Sequence, residues 1–312
     1  MKLFTFKKGG AVCVGVLRDC GLVPVAAFGL EYTSMNELIE HASPAELDRL
    51  ASAPYEESAR VPLSITVTAE EAGKPLATPT YTPLDADVKL LAPIPVPRQD
   101  VLCLGLNYMA HANEARSFNA ALASKEGWPV FFAKRVNEAP GDGDAIPAHE
   151  DVTSQLDYEV ELAVIIGRDA ANVKPEDARD YVFGYTVLND VTARELQNRH
   201  VQWYFGKSLD GFNPMGPCIV TADEFPFPPA LRITCSVNDE VRQDATTDML
   251  IHGIAKIVSQ FSQGVTLKAG TIIATGTPKG VGMGMTPPTF LKKGDVVQCA
   301  IEGIGTLTNT IV

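Results

Sequence analysis

Residues 156–166 constrain the fold more than any other segment, because they read as one apolar β-strand that carries two glutamates. Alternate side chains of a strand share a face, so Glu159 and Glu161 point the same way. The opposite face is aliphatic and typical of a protein core. After Glu161 both faces are apolar, which predicts a strand that becomes buried on both sides. The residues on the predicted core face are Val160, Leu162, Val164 and Ile166.

Two neighbouring carboxylates beside a buried sheet repel each other unless a positive group lies between them. A divalent cation meets this need, and carboxylate oxygens suit Mg²⁺, Mn²⁺ or Ca²⁺ better than Zn²⁺. The alternative is that Glu159 and Glu161 lie on the solvated face of an amphipathic strand. Asp190 favours the metal, since it ends a second β-rich segment and can project into a site. Its own alternative is a helix N-cap or turn residue.

The order of predicted elements indicates an α+β fold that is mainly β. Residues 1–95 read as a small N-terminal α+β unit, with helical spacing over 35–51 and Ser43 placed to cap a second helix. A proline-rich connector at 91–97 predicts the domain boundary. Residues 96–312 read as mostly β. One helix is predicted over 108–122. A second is predicted along the apolar stripe that ends at Phe261, with Thr247 as its N-cap.

Two polar pairings could carry chemistry. His111 and Glu114 lie three residues apart in the predicted helix, so their side chains share a face. A carboxylate beside an imidazole fixes its tautomer and raises its basicity, as a water-activating base requires. The simpler alternative is a surface contact. Lys207 lies in a predicted loop, where a lysine is usually solvated, but in a closed acidic site it would hold an anionic oxygen, with Gln197 lining the same pocket.

The glycine-rich turn at 275–282 superficially resembles a phosphate-binding loop. It lacks the order G-x-x-x-x-G-K-[ST], and no helical pattern follows it, so nucleotide binding is not predicted. The N–H groups of such a turn can instead receive a carboxylate. The sequence has no G-x-S-x-G elbow and no cysteine–histidine pair with supporting context, which disfavours serine and cysteine hydrolases.

Charge and composition narrow the function classes further. The chain has 26 basic and 38 acidic residues, a formal charge of −12 and no basic cluster, so nucleic-acid or anionic-membrane binding is not expected. No signal-peptide core and no apolar stretch of transmembrane length are present, which predicts a cytoplasmic protein. The six scattered cysteines, without a C-x-x-C pair, are expected to be buried apolar residues.

Five motifs together resemble the fumarylacetoacetate hydrolase family, in consistent order from about residue 101 to residue 312. The motifs are the segment 156–161, Asn189-Asp190-Val191-Thr192-Ala193-Arg194, Gly206-Lys207-Ser208-Leu209-Asp210, Thr275-Gly276-Thr277-Pro278 and Gly294-Asp295-Val296. The resemblance implies a mixed β-sandwich or β-roll catalytic domain over 96–312, a small variable N-terminal domain over 1–95, and a homodimer. It also implies bound Mg²⁺ or Mn²⁺, or Ca²⁺.

The resemblance further implies roles for individual residues. Glu159, Glu161 and Asp190 would bind the cation. His111 and Glu114 would lie on a lid that orders over the substrate, and Lys207 would stabilise an enolate. The residues implied in substrate binding are Gln197, Arg194, Gly276 and Thr277.

Three hypotheses for the function follow. The first is hydrolysis of a C–C bond in an acylpyruvate-type 2,4-diketo acid, in which a water activated by His111 attacks the distal carbonyl and pyruvate leaves as an enolate. The second keeps the enolate chemistry without hydrolysis, as a decarboxylase, isomerase or tautomerase of a 2-keto or 2-hydroxy-dienoic dicarboxylic acid in aromatic catabolism. The third is a non-catalytic keto-acid-binding protein, against which the complete set of site residues argues.

Overall fold

The computed structural model describes residues 1–67, 73–118 and 128–312, and the side chains of 116–118 are not described. Its strands are β1 (Lys2–Lys8), β2 (Ala11–Arg18), β3 (Gly21–Pro24), β4 (Val61–Val67), β5 (Pro79–Pro83), β6 (Val88–Leu90), β7 (Val101–Gly105), β8 (Val130–Lys134), β9 (Ala145–Ile146), β10 (Leu156–Asp157), β11 (Val160–Ile166), β12 (Val182–Asn189), β13 (Thr192–Ala193), β14 (Met215–Thr221), β15 (Arg232–Val237), β16 (Glu240–Thr246), β17 (Ile272–Ala274), β18 (Val296–Ile301) and β19 (Gly305–Ile311). Its α-helices are α1 (Met35–His41), α2 (Pro44–Ser52), α3 (Met109–Phe118), α4 (Arg194–Arg199), α5 (Tyr204–Lys207) and α6 (Ile254–Phe261).

Strand β11, which carries Glu161, lies inside a large mixed sheet. Among the described residues this sheet has twelve strands, in the order β5-β4-β3-β2-β1-β14-β12-β11-β17-β7-β8 with β6 beside β1. A second sheet has the order β16-β15-β18-β19-β9. Strands β7 and β17 run parallel, whereas β11 is antiparallel to both of its neighbours. Strand β11 is therefore held on both edges. The single strand predicted over 156–166 was wrong at its beginning, because Glu159 precedes β11 and Leu156–Asp157 pair with β13 in a separate two-stranded sheet.

Both faces of β11 are buried, as the sequence predicts. Val160 and Leu162 belong to an apolar cluster that also contains Ile233 and Cys299 of the second sheet. Ala163 and Ile165 of the opposite face pack in a second cluster, which includes side chains of α1 and α2. The large sheet is thus covered by a sheet on one face and by helices on the other. This packing confirms the α+β, mainly β prediction and its sandwich architecture.

The N-terminal residues continue the large sheet. Strand β1 pairs antiparallel with β14, with Leu3 opposite Ile219. Phe4 and Phe6 belong to the same apolar cluster as Ile233, and Leu3 lies in the cluster on the opposite face. The division at residue 95 therefore lies within a continuous sheet, and independent folding of residues 1–95 stays a prediction.

Local signals located most helices but not every boundary. Ser43 forms the predicted cap of α2, accepting a hydrogen bond from Glu46 N at 3.3 Å while its own N–H donates to Glu46 Oε2 at 2.8 Å. The helix predicted over 108–122 is α3, and residues 119–122 lie outside the described part of the chain. Lys207 is the last residue of the short helix α5, so the predicted loop around it was wrong at this position.

The predicted cap at Thr247 was wrong. Helix α6 begins at Ile254 after Gly253, and Thr247 opens a separate 3-10 turn. The Thr247 hydroxyl donates to Pro229 O at 2.7 Å and accepts from Leu231 N at 3.0 Å. It therefore holds a neighbouring loop, which a helical pattern in the sequence cannot reveal.

The expectation that the cysteines are buried is confirmed for four of the six. Cys103, Cys218, Cys235 and Cys299 are buried, as predicted, but Cys20 is exposed and Cys13 is half-buried. Within the described ranges, none of the helices has both the length and the apolar character needed to cross a membrane.

Candidate active site

Three acidic side chains that are distant in sequence meet at one end of β11. Glu159 precedes β11, Glu161 lies within it, and Asp190 directly follows β12. Because β11 and β12 are antiparallel, with Val160 opposite Asn189, the beginning of one strand lies beside the end of the other. Carboxylate oxygens of the three residues lie within 4.8 Å of one another, and all three residues are buried. The predicted convergence of the acids is present, and the solvated-face alternative for the glutamates is wrong.

Lys207 and Arg194 compensate part of this negative charge. Lys207 Nζ donates to Glu159 Oε2 and to Asp190 Oδ2, each at 2.7 Å. Arg194 Nη2 lies 2.6 Å from Glu159 Oε1. Burial alone would raise the pKa of the Glu159 carboxyl, but Lys207 and Arg194 together hold that pKa well below its usual range. Glu159 is therefore ionised at neutral pH.

Glu161 is the acid that remains uncompensated. Burial raises the pKa of its carboxyl well above the ordinary value, and the charges of Asp190 and Glu159 raise it further. Its Oε2 accepts a hydrogen bond from Gly276 N at 2.7 Å. A divalent cation among the three carboxylates would offset this repulsion, and the all-oxygen donor set matches Mg²⁺, Mn²⁺ or Ca²⁺. The residues present thus fit such an ion.

The predicted pair of His111 and Glu114 lies beside these acids, with His111 buried and Glu114 half-buried. In α3, His111 Nδ1 lies 3.0 Å from Glu114 Oε2, and His111 is only 5% exposed. The Glu114 carboxylate also accepts from Gly280 N at 3.1 Å. Gly284 approaches Glu114 so closely that a Cβ at this position would clash with the carboxylate. The pair is therefore not a simple surface contact. The Glu114 carboxylate is held by the backbone and in turn holds the imidazole of His111.

The predicted residues line one small cavity of about 20 Å³. This volume holds a water molecule but not a keto acid, so a substrate must displace part of the wall to enter. A larger cavity of about 370 Å³, lined by residues such as Thr66 and Asp239, contains none of the predicted site residues. Chemistry rather than volume therefore identifies the site. The predicted residues that line the small cavity are His111, Glu159, Glu161, Arg194, Gln197, Lys207 and Thr277, and the remaining wall consists of Leu104, Gly105, Leu106, Ala115, Phe132, Trp203 and Met283.

Gly276 has a different position from the one expected of a substrate ligand. Its N–H is engaged by Glu161, and it does not line the cavity. Its φ of 102° and its contact with Asn107, whose Cβ would lie 2.7 Å from an added Cβ, both require glycine. In this structure Gly276 holds Glu161, and its contact with substrate stays a prediction.

Two buried charged residues of the site escaped the sequence analysis. Lys134 Nζ donates to Asp190 Oδ1 and to Phe212 O, both at 2.5 Å. Asp157 accepts from Arg194 Nε at 2.8 Å and from the backbone N–H groups of Gly282 and Met283 at 2.7 and 2.9 Å. Lys134 ends a predicted strand, and Asp157 lies two residues before Glu159, which are weak signals. Their partners are set by tertiary structure.

Comparisons with known proteins identify the family of the chain. A relative, oxaloacetate tautomerase YisK of Bacillus subtilis (strain 168), is 48% identical over 226 residues, which span 72% of this chain and 74% of that protein. The structure of a fumarylacetoacetate hydrolase from Exiguobacterium antarcticum has a TM-score of 0.79 and 38% identity, and the match covers 100% of this chain and 99% of that one.

A second solved structure is that of maleylpyruvate hydrolase from Sphingobium sp. SYK-6 in complex with manganese(II) and pyruvate. It has a TM-score of 0.73 and 29% identity, with 100% of this chain and 99% of that chain covered. The family described as fumarylacetoacetate (FAA) hydrolase, C-terminal, matches residues 100–312. These matches confirm the resemblance seen in the sequence motifs, and the chain belongs to the fumarylacetoacetate hydrolase family.

Proposed function

We propose that this protein is a divalent-metal-dependent enzyme that enolises a 2-keto dicarboxylic acid, with keto–enol tautomerisation of oxaloacetate as its reaction. The observation that carries the proposal is one small cavity lined by acids that could hold a cation, by Lys207 and by His111. The name of the 48% identical relative, an oxaloacetate tautomerase, supports the choice of substrate.

Glu159, Glu161 and Asp190 are the residues that would hold the cation, which we propose to be Mg²⁺ or Mn²⁺. When bound, it would supply Lewis acidity to the keto oxygen of the substrate. The two neighbouring cationic side chains have separate roles. Arg194 fixes Glu159, and Lys207, whose Nζ lies 2.7 Å from two of the acids, is placed to stabilise negative charge that develops on the enolate oxygen.

His111 is the proposed proton-transfer residue. Its Nδ1 faces Glu114 at 3.0 Å, which leaves Nε2 for the substrate. We propose that Nε2 takes the proton from the carbon beside the keto group and that the proton returns to the enolate oxygen, so that no atom is gained or lost. Arg194, Gln197 and Thr277 line the same cavity and supply donors for the carboxylates of the substrate.

Hydrolysis of an acylpyruvate-type 2,4-diketo acid is the second candidate, and the His111–Glu114 pair favours it because the same base could activate a water. The maleylpyruvate hydrolase structure is a further argument for this reaction class. Decarboxylation shares the enolate and needs no additional residue. A non-catalytic keto-acid-binding protein would not need a buried imidazole paired with a carboxylate.

The reaction is tested by an assay panel on protein stripped with EDTA and reloaded with Mg²⁺ or Mn²⁺. We expect the loaded protein to accelerate the enol–keto interconversion of oxaloacetate well above the rate in buffer. The reaction is monitored through the loss of enol absorbance. Decarboxylation is measured in parallel as pyruvate release, and hydrolysis as cleavage of an acylpyruvate. Cleavage of the acylpyruvate without tautomerisation would replace the first candidate by the second, and inactivity on the whole panel would contradict both.

Replacement of Glu161 by glutamine tests the proposed cation site without relying on turnover. The folded-state pKa of Glu161 is raised, so its ionisation destabilises the metal-free fold as pH rises above the ordinary carboxyl range. Glu161→Gln should therefore raise the melting temperature of the metal-free protein at neutral pH. It should also abolish the stabilisation by Mn²⁺, which for the wild type is about 2.7 kcal/mol at one hundred times Kd.

Differential scanning fluorimetry with and without Mn²⁺ measures both effects. The control is Glu176→Gln, because Glu176 is exposed, belongs to a 3-10 helix and does not line the cavity. That variant should keep the wild-type response to Mn²⁺. A full Mn²⁺ response in Glu161→Gln would show that Glu161 is not a ligand.

A further inference from the structure

Gln243 of β16 is a fully buried side chain whose polar atoms all have partners in the site region. Its Oε1 accepts from Val160 N at 3.0 Å. Its Nε2 donates to Thr277 Oγ1 and to Pro278 O, each at 2.8 Å. The amide orientation is determined by these partners, because a backbone N–H can only donate and the carbonyl of Pro278 can only accept.

This arrangement determines the direction in which the Thr277 hydroxyl bonds. Its oxygen receives a hydrogen from Gln243, so its own proton is left for another acceptor. Among the described residues no hydrogen bond uses that proton, and Thr277 lines the cavity. The side chain of Thr277 therefore presents a donor to the cavity, which suits an anionic oxygen.

Gln197 follows the same logic on the same cavity wall. Its Oε1 accepts from Arg194 Nη1 at 3.2 Å, which leaves its NH₂ group as the part available to a ligand. Two uncharged side chains that could each have accepted or donated are thus both committed to donating. Such a wall favours a carboxylate over an alcohol or an ammonium group.

We propose that Gln243 is a positioning residue that presets Thr277 as a hydrogen-bond donor for a substrate carboxylate. The proposal rests on the proposed function, since it requires a keto-acid ligand. It assigns to β16 of the second sheet a part in substrate recognition, although Gln243 itself does not line the cavity. A purely structural role, through its bond to Val160 beside Glu159 and Glu161, is the competing explanation.

A double-mutant cycle with Gln243→Met and Thr277→Val separates these roles. Methionine removes the hydrogen bond to Thr277 and leaves its hydroxyl free to rotate, and valine removes the hydroxyl itself. Each single variant should weaken oxalate binding to the manganese-loaded protein by about 10- to 100-fold, as expected for the loss of a hydrogen bond to a charged group. The double variant should bind no more weakly than Thr277→Val, because Gln243 acts through Thr277.

Isothermal titration with oxalate gives Kd, and kinetics with oxaloacetate should place the effect mainly in KM rather than kcat. The melting-temperature shift caused by Mn²⁺ should be the same in Gln243→Met as in the wild type, which a displaced acidic cluster would not allow. The polarity can also be reversed: Gln243→Glu would accept the Thr277 proton, and it should weaken oxalate binding more than methionine does. Gln298→Met, on β18 and bonded to Ser236, is the matched control.

The outcomes are distinguishable from those of the function assay. A wild type that binds oxalate but does not turn over oxaloacetate contradicts the proposed function and still allows the cycle to be measured. Additive effects of the two substitutions, a Kd within twofold of wild type in Gln243→Met, or no oxalate binding by the manganese-loaded wild type would each overturn the role of Gln243.

Discussion

Replacement of His111 by alanine is expected to lower kcat by about 10²- to 10⁴-fold, the usual contribution of a positioned general base. His111 is buried against Glu114 in the cavity that contains the acids. No other described residue that lines this cavity is a histidine. The substitution leaves the three acids, the proposed ligands of the cation, unchanged. We therefore expect the melting-temperature shift caused by Mn²⁺ to remain at its wild-type size.

The measurement is kcat for oxaloacetate tautomerisation at saturating Mn²⁺, together with scanning fluorimetry of the same samples. Met109→Ala serves as control, because Met109 lies on the same helix and is 56% exposed. It should retain wild-type kcat, which excludes a general effect of altering α3. Near-normal turnover by His111→Ala would remove the proton-transfer role, whereas loss of the Mn²⁺ response would indicate that the substitution disturbs the acidic cluster instead.

The acidic cluster could be predicted because its signal is local. The two-residue spacing of Glu159 and Glu161 in an apolar strand fixes their common face, and Asp190 marks the end of another strand. Their convergence then requires only that the two strands pair antiparallel, which they do. The i, i+3 spacing of His111 and Glu114 is local in the same way.

The remaining site residues depend on contacts that no local pattern encodes. Gln243 bonds Val160 across 83 positions of sequence, and Lys134 bonds Asp190 across 56. A glutamine in a strand and a lysine at a strand end are ordinary residues until the fold brings them together. The pairing of β1 with β14, more than two hundred residues apart, is likewise decided by tertiary structure, and for this reason the sequence did not predict that the sheet would continue across residue 95.

Replacement of Lys207 by methionine should have a large effect on stability. Burial alone would lower the pKa of Lys207, but Asp190 and Glu159 raise it above the ordinary value, so the ammonium is charged in the fold. Methionine keeps most of the side-chain volume and removes the charge. Removal of one partner from a buried ion pair typically costs about 3–5 kcal/mol, because the remaining charges stay desolvated. The metal-free variant should lose free energy of unfolding in this range, measured by urea denaturation.

The response to a cation distinguishes this charge effect from lost packing. Without Lys207 the three acids carry more uncompensated charge, so Mn²⁺ should stabilise Lys207→Met by more than it stabilises the wild type. Turnover at saturating Mn²⁺ should nevertheless fall by about 10²- to 10³-fold, since the cation cannot replace the ammonium at the enolate oxygen.

Lys134→Met is the matched comparison for Lys207→Met. Lys134 is equally buried and also bonds Asp190, but it does not line the cavity. It should lose comparable stability and far less turnover, because its charge acts on the acid rather than on the substrate. Equal losses of turnover in the two variants would mean that both lysines act through Asp190 alone, and the proposed contact between Lys207 and the enolate would then have no support.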